Sequence, residues 1–288
     1  MFNYSDSVNQ VEALTDRKGA RRIAEVPAEV LAAISVGAAE TVNLMEWLAA
    51  DMSMLVRAVA SESVPALREA LFEAAELMGG RGVTQRLRLL GSAIARALPE
   101  LAGTEFEKLA AHRGDLVRQW ACYAVNDLMT SRSLSTRLTE TLRFASDTNM
   151  SVRETAWMAF RPHLARSLDA GLELLKPLSK CENANVRRFA VEVTRPRSVW
   201  GAHLDQLKRQ PGQAIGLLES TRADPSKYVR LAAGNWLNDA SKTRPDWVAE
   251  VCDRWSKDGN PHTDFIVKRG LRSIIRSQAT AKSGWQSL

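Results

Sequence analysis

The sequence predicts an all-α fold, a curved solenoid of stacked two-helix repeats with an N-terminal helical cap. Three observations predict it. The 288 residues are 45% hydrophobic and 25% charged, and the abundant Ala, Leu, Arg and Glu favour helix over long windows. A short motif recurs at a nearly constant spacing. The segments around this motif begin and end with residues that start and stop helices.

The recurring motif is a polar turn, then Val-Arg, then Ala four residues after the Val. It occurs in GDLVRQWA, NMSVRETA, NANVRRFA and SKYVRLAA. The valines, Val117, Val152, Val186 and Val229, lie 35, 34 and 43 residues apart, and a weaker copy places Val267 another 38 residues along. This spacing is typical of HEAT-type repeats, in which Val and Ala lie on the buried face of the second helix.

The repeats set the expected domain boundaries. We expect a HEAT-like repeat solenoid over residues 106–276, preceded by an N-terminal helical cap region at residues 1–105. The cap region contains helical patterns such as SVPALREALFEAAELMGG, which ends on a Gly pair that stops helices. The polar residues 277–288 are expected to form a flexible tail.

Membrane, secreted and metal-binding classes find no support in the sequence. It has no apolar run of about 18 residues, and its N-terminus lacks the order of a signal peptide. Cys122, Cys181 and Cys252 lie far apart without CxxC spacing, and the four histidines are scattered. We therefore expect a cytoplasmic monomer with buried cysteines, no metal and no cofactor.

Positive charge is concentrated in the second half of the chain. Residues 1–144 carry 16 Lys and Arg against 18 Asp and Glu, whereas residues 145–288 carry 23 against 15. This asymmetry favours a polyanionic partner such as DNA, which would associate a cytoplasmic protein with the nucleoid. A basic surface that only keeps the protein soluble is the alternative.

A basic residue follows each repeat valine, namely Arg118, Arg153, Arg187, Arg230 and Lys268. These side chains either contact DNA phosphates or brace the adjacent repeat through its acidic turn. The sequence leaves both interpretations open.

The block from residue 185 to residue 242 carries a more specific pattern. It contains NVRRFAVEVTRPRSVWG and, after a spacer, DPSKYVRLAAGNWLNDASK. About 60 residues here resemble the AlkC/AlkD-type DNA alkylation repair family of HEAT-like glycosylases, and the AlkC branch more closely. The resemblance joins Glu192, Arg195-Pro196-Arg197 and Trp200 to Leu237-Asn238-Asp239 and Lys242.

The resemblance implies excision of cationic N3- or N7-alkylpurines from duplex DNA by hydrolysis of the N-glycosidic bond, without deep base flipping. Glu192 and Asp239 match the family's acidic positions, which would stabilise the sugar cation and direct a water molecule. Trp200, and Trp157 by its position, would stack near the lesion. The residues expected to contact the DNA backbone are Arg161, Arg195, Arg197, Arg230, Lys242 and Arg244.

Helical spacing supports a shared location for the acidic residues. Counted from the repeat valine, Glu192 lies at +6 and Asp239 at +10, four residues apart, so both fall on the same side of equivalent helices. We expect Trp200 to join them in one groove.

One departure from the family pattern and one recurrence within the chain leave other functions open. Trp157 stands where the AlkC pattern has a Glu, and Glu154 lies one turn earlier. Asn126-Asp127 repeats the position of Asn238-Asp239, so Asp239 is either catalytic or part of a structural contact. The alternatives to a glycosylase are a non-catalytic protein that binds damaged or branched DNA and a protein-interaction solenoid.

Overall fold

The computed structural model describes residues 14, 17–98, 100–127 and 129–285, so both ends of the predicted layout, residues 1–13 and 286–288, lie outside the described residues. The all-α prediction is confirmed: 17 α-helices and three short 3-10 helices occur in the described ranges, and no residue there belongs to a strand. Two compact units divide at Ala159 and Phe160. The predicted cap, repeat and tail regions stay a prediction.

The first unit, Met1–Ala159, contains short helices joined by capped turns. Asn43 and Asp51 accept hydrogen bonds from main-chain N–H groups of the helices that they begin, which satisfies donors that a helix leaves unpaired. The helices are α1 (Ala28–Ser35), α2 (Leu44–Ala49), α3 (Met52–Ser61), α4 (Pro65–Glu76), α5 (Val83–Ala97), α6 (Gly103–Ala110), α7 (Asp115–Val125) and α8 (Leu134–Ala145). Helix α9 (Met150–Arg166) begins in this unit.

The second unit, Phe160–Leu288, continues the pairing of helices. Proline occupies the first position of two of them, where its missing N–H is no loss. The helices are α10 (Leu168–Leu175), α11 (Ala184–Glu192), α12 (Asp205–Arg209), α13 (Ile215–Thr221), α14 (Lys227–Ala240), α15 (Pro245–Ser256), α16 (Pro261–Gly270) and α17 (Arg272–Trp285). Helix α14 packs against both α11 and α16.

The repeat valines and alanines lie in the core, as the motif predicts. Every repeat valine is at most 8% exposed, and the alanine four residues after each of the first four is fully buried or nearly so. Burying such side chains removes apolar surface from water, at roughly 25 cal/mol per Å². The buried pairs are Val117 with Ala121, Val152 with Ala156, Val186 with Ala190 and Val229 with Ala233.

The arginine after each of these valines closes its own turn. In all four repeats its Nη1 donates hydrogen bonds to the main-chain carbonyls six and five residues earlier, at N···O distances between 2.6 and 3.0 Å. These carbonyls precede the helix and have no helical partner, so the guanidinium satisfies them. The four residues are Arg118, Arg153, Arg187 and Arg230.

Two of these arginines also brace the next repeat of the same unit. Arg187 binds Asp224 through two parallel hydrogen bonds of 2.6 and 2.9 Å, and Arg118 binds Asp147 in the same way at 2.8 and 3.0 Å. Each aspartate also accepts a hydrogen bond from a main-chain N–H of its own turn. For these two arginines, bracing through the acidic turn is confirmed.

None of the helices in the described ranges combines the length and apolar character that a membrane span requires. Among the cysteines, Cys122 and Cys252 are buried as expected, while Cys181 is only partly buried. The described residues include no group of three or more His, Cys, Asp or Glu side chains placed to hold a metal ion.

Candidate nucleic-acid interface

The two predicted catalytic carboxylates lie at the C-terminal ends of neighbouring helices in the second unit. Glu192 is the last residue of α11, and Asp239 is the penultimate residue of α14. Glu192 is 5% exposed and Asp239 is 4% exposed. Carboxylates this deeply buried need charged or hydrogen-bonding partners, because burial alone strongly disfavours the ionised form.

Arg195 supplies that partner to both carboxylates. Its Nη1 donates to Glu192 Oε1 at 2.6 Å, while its Nε and Nη2 lie 2.8 and 2.7 Å from Asp239 Oδ2. The structure therefore brings Glu192 and Asp239 together, as the helical spacing predicts. Arg195, expected on a phosphate, instead lies between them with 22% of its side chain exposed.

Two further cations flank this pair. Arg188 Nη2 lies 3.5 Å from Glu192 Oε2, and Lys242 Nζ lies 3.3 Å from Asp239 Oδ1. Burial alone would lower the pKa of Arg195, but the two carboxylates raise it by more, so its pKa lies above the ordinary value. The site thus combines two buried carboxylates with three cations, of which Lys242 is the most exposed.

The loop between α11 and α12, which carries Arg195, is held by Arg161. The guanidinium donates to the carbonyls of Val193, Arg195 and Ala202 at 2.7, 2.7 and 2.8 Å. Arg161 is 2% exposed. Burial, together with the nearby charge of Arg195, lowers the pKa of Arg161 to about 10, so it stays protonated at neutral pH. This placement is at odds with the predicted phosphate contact, because the buried guanidinium binds the main chain of the loop instead.

The tip of the loop presents apolar side chains to solvent. Val199 is 90% exposed and Trp200 is 48% exposed. The backbone there is ordered by Ser198, whose Oγ accepts hydrogen bonds from the N–H groups of Trp200 and Gly201 at 3.2 and 3.1 Å. An exposed apolar tip on a fixed loop is a surface available for contact with a partner.

The other predicted backbone-binding residues differ in their availability. Arg244, which is partly exposed, binds Asp246 at 3.1 and 2.8 Å, whereas Arg230 closes its own turn and lies over the ring of Phe265. Arg197 is partly buried, and its Nε has no hydrogen-bond partner among the residues that the structure describes. Of the six predicted cations, Lys242 and Arg244 have the more exposed side chains, at 44% and 41%.

The Asn-Asp pair that recurs in the sequence does not make the same contacts in its two copies. In the first unit, Asp127 accepts hydrogen bonds from Met129 N at 2.7 Å and from Ser92 Oγ. Asp239 is instead bound by Arg195 and Lys242. The recurrence therefore does not by itself make Asp239 structural.

Comparison with known proteins identifies the family. The sequence profile of the DNA alkylation repair enzyme family matches residues 117–272, more than half of the chain. The chain belongs to this family. The resemblance seen between residues 185 and 242 is thereby confirmed.

Individual relatives of the family cover different parts of the chain. The uncharacterized protein YhaZ of Bacillus subtilis (strain 168) is 37% identical over 136 residues, which is 46% of this chain and 38% of that protein. The structure of Pseudomonas fluorescens alkylpurine DNA glycosylase AlkC, bound to DNA containing an abasic site analog, matches with a TM-score of 0.65 and 23% identity over 89% of this chain and 66% of AlkC. This chain thus spans less than two thirds of either relative. The likeness to AlkC confirms the helical-repeat fold.

A third relative gives a weaker likeness. AlkD2 from Streptococcus mutans matches with a TM-score of 0.48 and 20% identity over 77% of this chain and 98% of AlkD2. That likeness is too weak for comparison of individual site residues.

Trp157, where the AlkC pattern of the family has a Glu, lies in the first unit and is 3% exposed. Its Nε1 donates a hydrogen bond of 2.7 Å to Glu154 Oε2. A buried indole has no face open to a DNA base, so this placement is at odds with the predicted stacking role. Helical spacing identifies a packed face but does not reveal that the indole is enclosed on both sides.

Three basic residues near the site were not predicted from the sequence. Arg188 and Arg269 each lie two residues after a repeat valine, and Arg272 begins α17. A basic residue at the second position after a repeat valine is the signal that could have identified Arg188 and Arg269.

Proposed function

We propose that this protein is a DNA glycosylase that hydrolyses the N-glycosidic bond of cationic alkylpurines, chiefly N3-methyladenine, in alkylated duplex DNA. The observation that carries the proposal is the meeting of Glu192 and Asp239 around Arg195, beside the loop that exposes Trp200. Membership of the DNA alkylation repair enzyme family supports it.

The reaction needs little activation of the leaving group, because the alkylated base is already cationic. An N3- or N7-alkylated purine carries a positive charge, so the C1′–N bond breaks with both electrons moving to the base, which leaves as a neutral molecule. The sugar becomes an oxocarbenium-like cation. A water oxygen then bonds to C1′, its proton passes to a carboxylate or to solvent, and an abasic site remains. Carboxylates fixed near C1′ stabilise the cation and orient the water.

The arrangement around Arg195 suits this reaction for an electrostatic reason. Fixed carboxylates act strongly on a developing charge because they need no reorganisation during the reaction. Arg195 holds both in place, while Lys242, whose side chain is 44% exposed, would turn from Asp239 toward a phosphate. Trp200 would place its ring against the cationic base, where a π face attracts positive charge.

The test is base release from duplex DNA methylated to contain N3-methyladenine and N7-methylguanine, measured by chromatography. The wild type should release base above the spontaneous rate, and Asp239→Asn and Glu192→Gln should each reduce the rate by about 100-fold, as when one preorganised electrostatic group is removed. Asp253→Asn is the matched control, since Asp253 also binds a basic residue, Lys257, but its side chain is 73% exposed. No release by a folded wild-type protein would refute the glycosylase.

A second candidate function is binding of damaged or branched duplex DNA without bond cleavage. Two observations favour it: Arg195 engages both carboxylates, and Trp157 replaces the Glu of the AlkC pattern. Affinity for a duplex containing an abasic-site analogue, measured with the same variants, separates the two. Tight binding without base release supports this second function.

A further inference from the structure

Two arginines of the second unit converge on one neutral oxygen. Arg269 on α16 donates a hydrogen bond from Nε to Asn235 Oδ1 at 2.8 Å, and Nη2 of Arg272 lies 3.4 Å from the same oxygen. Asn235 belongs to α14, one helical turn before Asp239. The pair therefore lies next to the carboxylate site.

The shared partner of this arginine pair is neutral in the part of the chain that the structure describes. Within the described residues neither guanidinium forms an ion pair, unlike Arg187 and Arg195, each of which binds a carboxylate. Burial, followed by the like charges of Arg272 and Arg195, lowers the pKa of Arg269. Clustered guanidinium groups repel one another, and an anion bound between them relieves that repulsion.

The backbone of α14 is shaped to hold Arg269. A Cβ added at Gly234 would lie 2.8 Å from the Cβ and 2.9 Å from the Cδ of Arg269. Glycine in a helix interior is less favourable than alanine. The close contact with Arg269 explains why glycine occupies position 234. Without a side chain there, the aliphatic stem of Arg269 lies across the helix and its guanidinium reaches Asn235.

Arg272 is fixed differently. It is the first residue of α17, and the next residue, Ser273, donates hydrogen bonds from N and Oγ to Asn238 Oδ1 at 3.2 and 3.1 Å. These bonds tie the start of α17 to α14. The positive end of the α17 dipole adds to the charge at this point.

We propose that Arg269 and Arg272 form a clamp for one phosphate of the DNA strand whose nucleotide occupies the Glu192 and Asp239 site. The proposal rests on the proposed function for its ligand, duplex DNA, but not on catalysis. A phosphodiester offers two anionic oxygens, which paired guanidinium groups bind with good geometry. The neutral Asn235 orients the arginines without neutralising them.

Binding of a fluorescein-labelled duplex with an abasic-site analogue, followed by anisotropy across a salt series, tests the clamp. Arg269→Met and Arg272→Met should each weaken binding about 5- to 10-fold and should lower the slope of log affinity against log salt by about 1, since one phosphate contact is lost. Gly234→Ala should have a smaller effect of the same sign. Arg254→Met is the matched control, because Arg254 lies in an exposed ion pair with Glu219, and it should bind within about twofold of the wild type.

Single methylphosphonate substitutions, which remove the charge of one phosphate at a time, locate the contact. One position should weaken wild-type binding, and the Arg269→Met/Arg272→Met double variant should lose nothing further at that position. A double variant that keeps the wild-type methylphosphonate profile and the salt slope of Arg254→Met overturns the clamp. If the methylphosphonate results agree with the clamp but no base is released, only the proposed glycosylase activity is overturned. If the folded wild type binds no DNA, both the glycosylase and the clamp are overturned.

Discussion

Arg195 binds Asp239 through two nitrogens of its guanidinium, with Nε at 2.8 Å and Nη2 at 2.7 Å from the same carboxylate oxygen. The contact joins the loop after α11 to the end of α14, residues that are 44 positions apart in the sequence. Because Asp239 is buried, the contact both orients the carboxylate and compensates its desolvation.

Replacing Arg195 with Met should lower the free energy of unfolding by about 3 kcal/mol, because two buried carboxylates would lose their partner. Urea unfolding measures this. The double variant Arg195→Met/Asp239→Asn should be less destabilised than the sum of the two single variants, as expected for groups that interact directly. Arg254→Met, in an exposed ion pair, should change stability by less than about 1 kcal/mol. A strictly additive double variant would contradict the bridging role.

The repeat motif was enough to predict the buried valines and alanines and the meeting of Glu192 with Asp239, because helical periodicity determines which side chains share a face. It did not predict the roles of Arg161 and Trp157. Periodicity gives the direction of a side chain on its helix, but burial depends on what covers that helix. Arg161 is buried beneath a loop, and the path of a loop cannot be predicted from a periodic pattern in the sequence.

Arg161→Met should release the loop that carries Trp200. Three hydrogen bonds from a charged donor would be lost, so the free energy of unfolding should fall by about 4 kcal/mol. Hydrogen exchange of the amides between residues 195 and 203 should become faster than in the wild type, and more so than for amides of α15. Arg161→Lys keeps the charge but not the planar fork and should show an intermediate effect. Unchanged exchange in the loop would show that Arg161 does not hold it.

The two tryptophans should separate stability from DNA binding. Trp157→Phe should lower the free energy of unfolding by about 1 kcal/mol through loss of the hydrogen bond to Glu154, with DNA affinity unchanged. Trp200→Ala should leave stability within about 0.5 kcal/mol and weaken binding to abasic-site DNA about tenfold, as expected for loss of one stacking contact. If Trp157→Phe weakened DNA binding and Trp200→Ala did not, Trp157 and not Trp200 would be the stacking residue.

Asp115 in the first unit should make stability depend on pH. Its carboxylate accepts hydrogen bonds from Thr41 N and Oγ1, both at 2.8 Å, and from Gln119 Nε2 at 3.1 Å, and it lies near the charges of Glu40 and Arg118. Burial, only partly opposed by the bonds from Thr41, raises the pKa of Asp115 from 3.8 to about 6. Ionising this group is therefore harder in the folded protein than in the unfolded chain.

The sign of the effect follows from proton binding. Between about pH 6 and pH 4 the folded protein holds a proton on Asp115 that the unfolded chain has released, so stability rises as the pH falls through this window. The gain should be on the order of 3 kcal/mol, and it should be absent from Asp115→Asn, which has no proton to bind. Urea unfolding of both proteins between pH 4 and pH 7 measures it. Stability curves that run parallel across this range would mean that the hydrogen bonds from Thr41 and Gln119 outweigh burial.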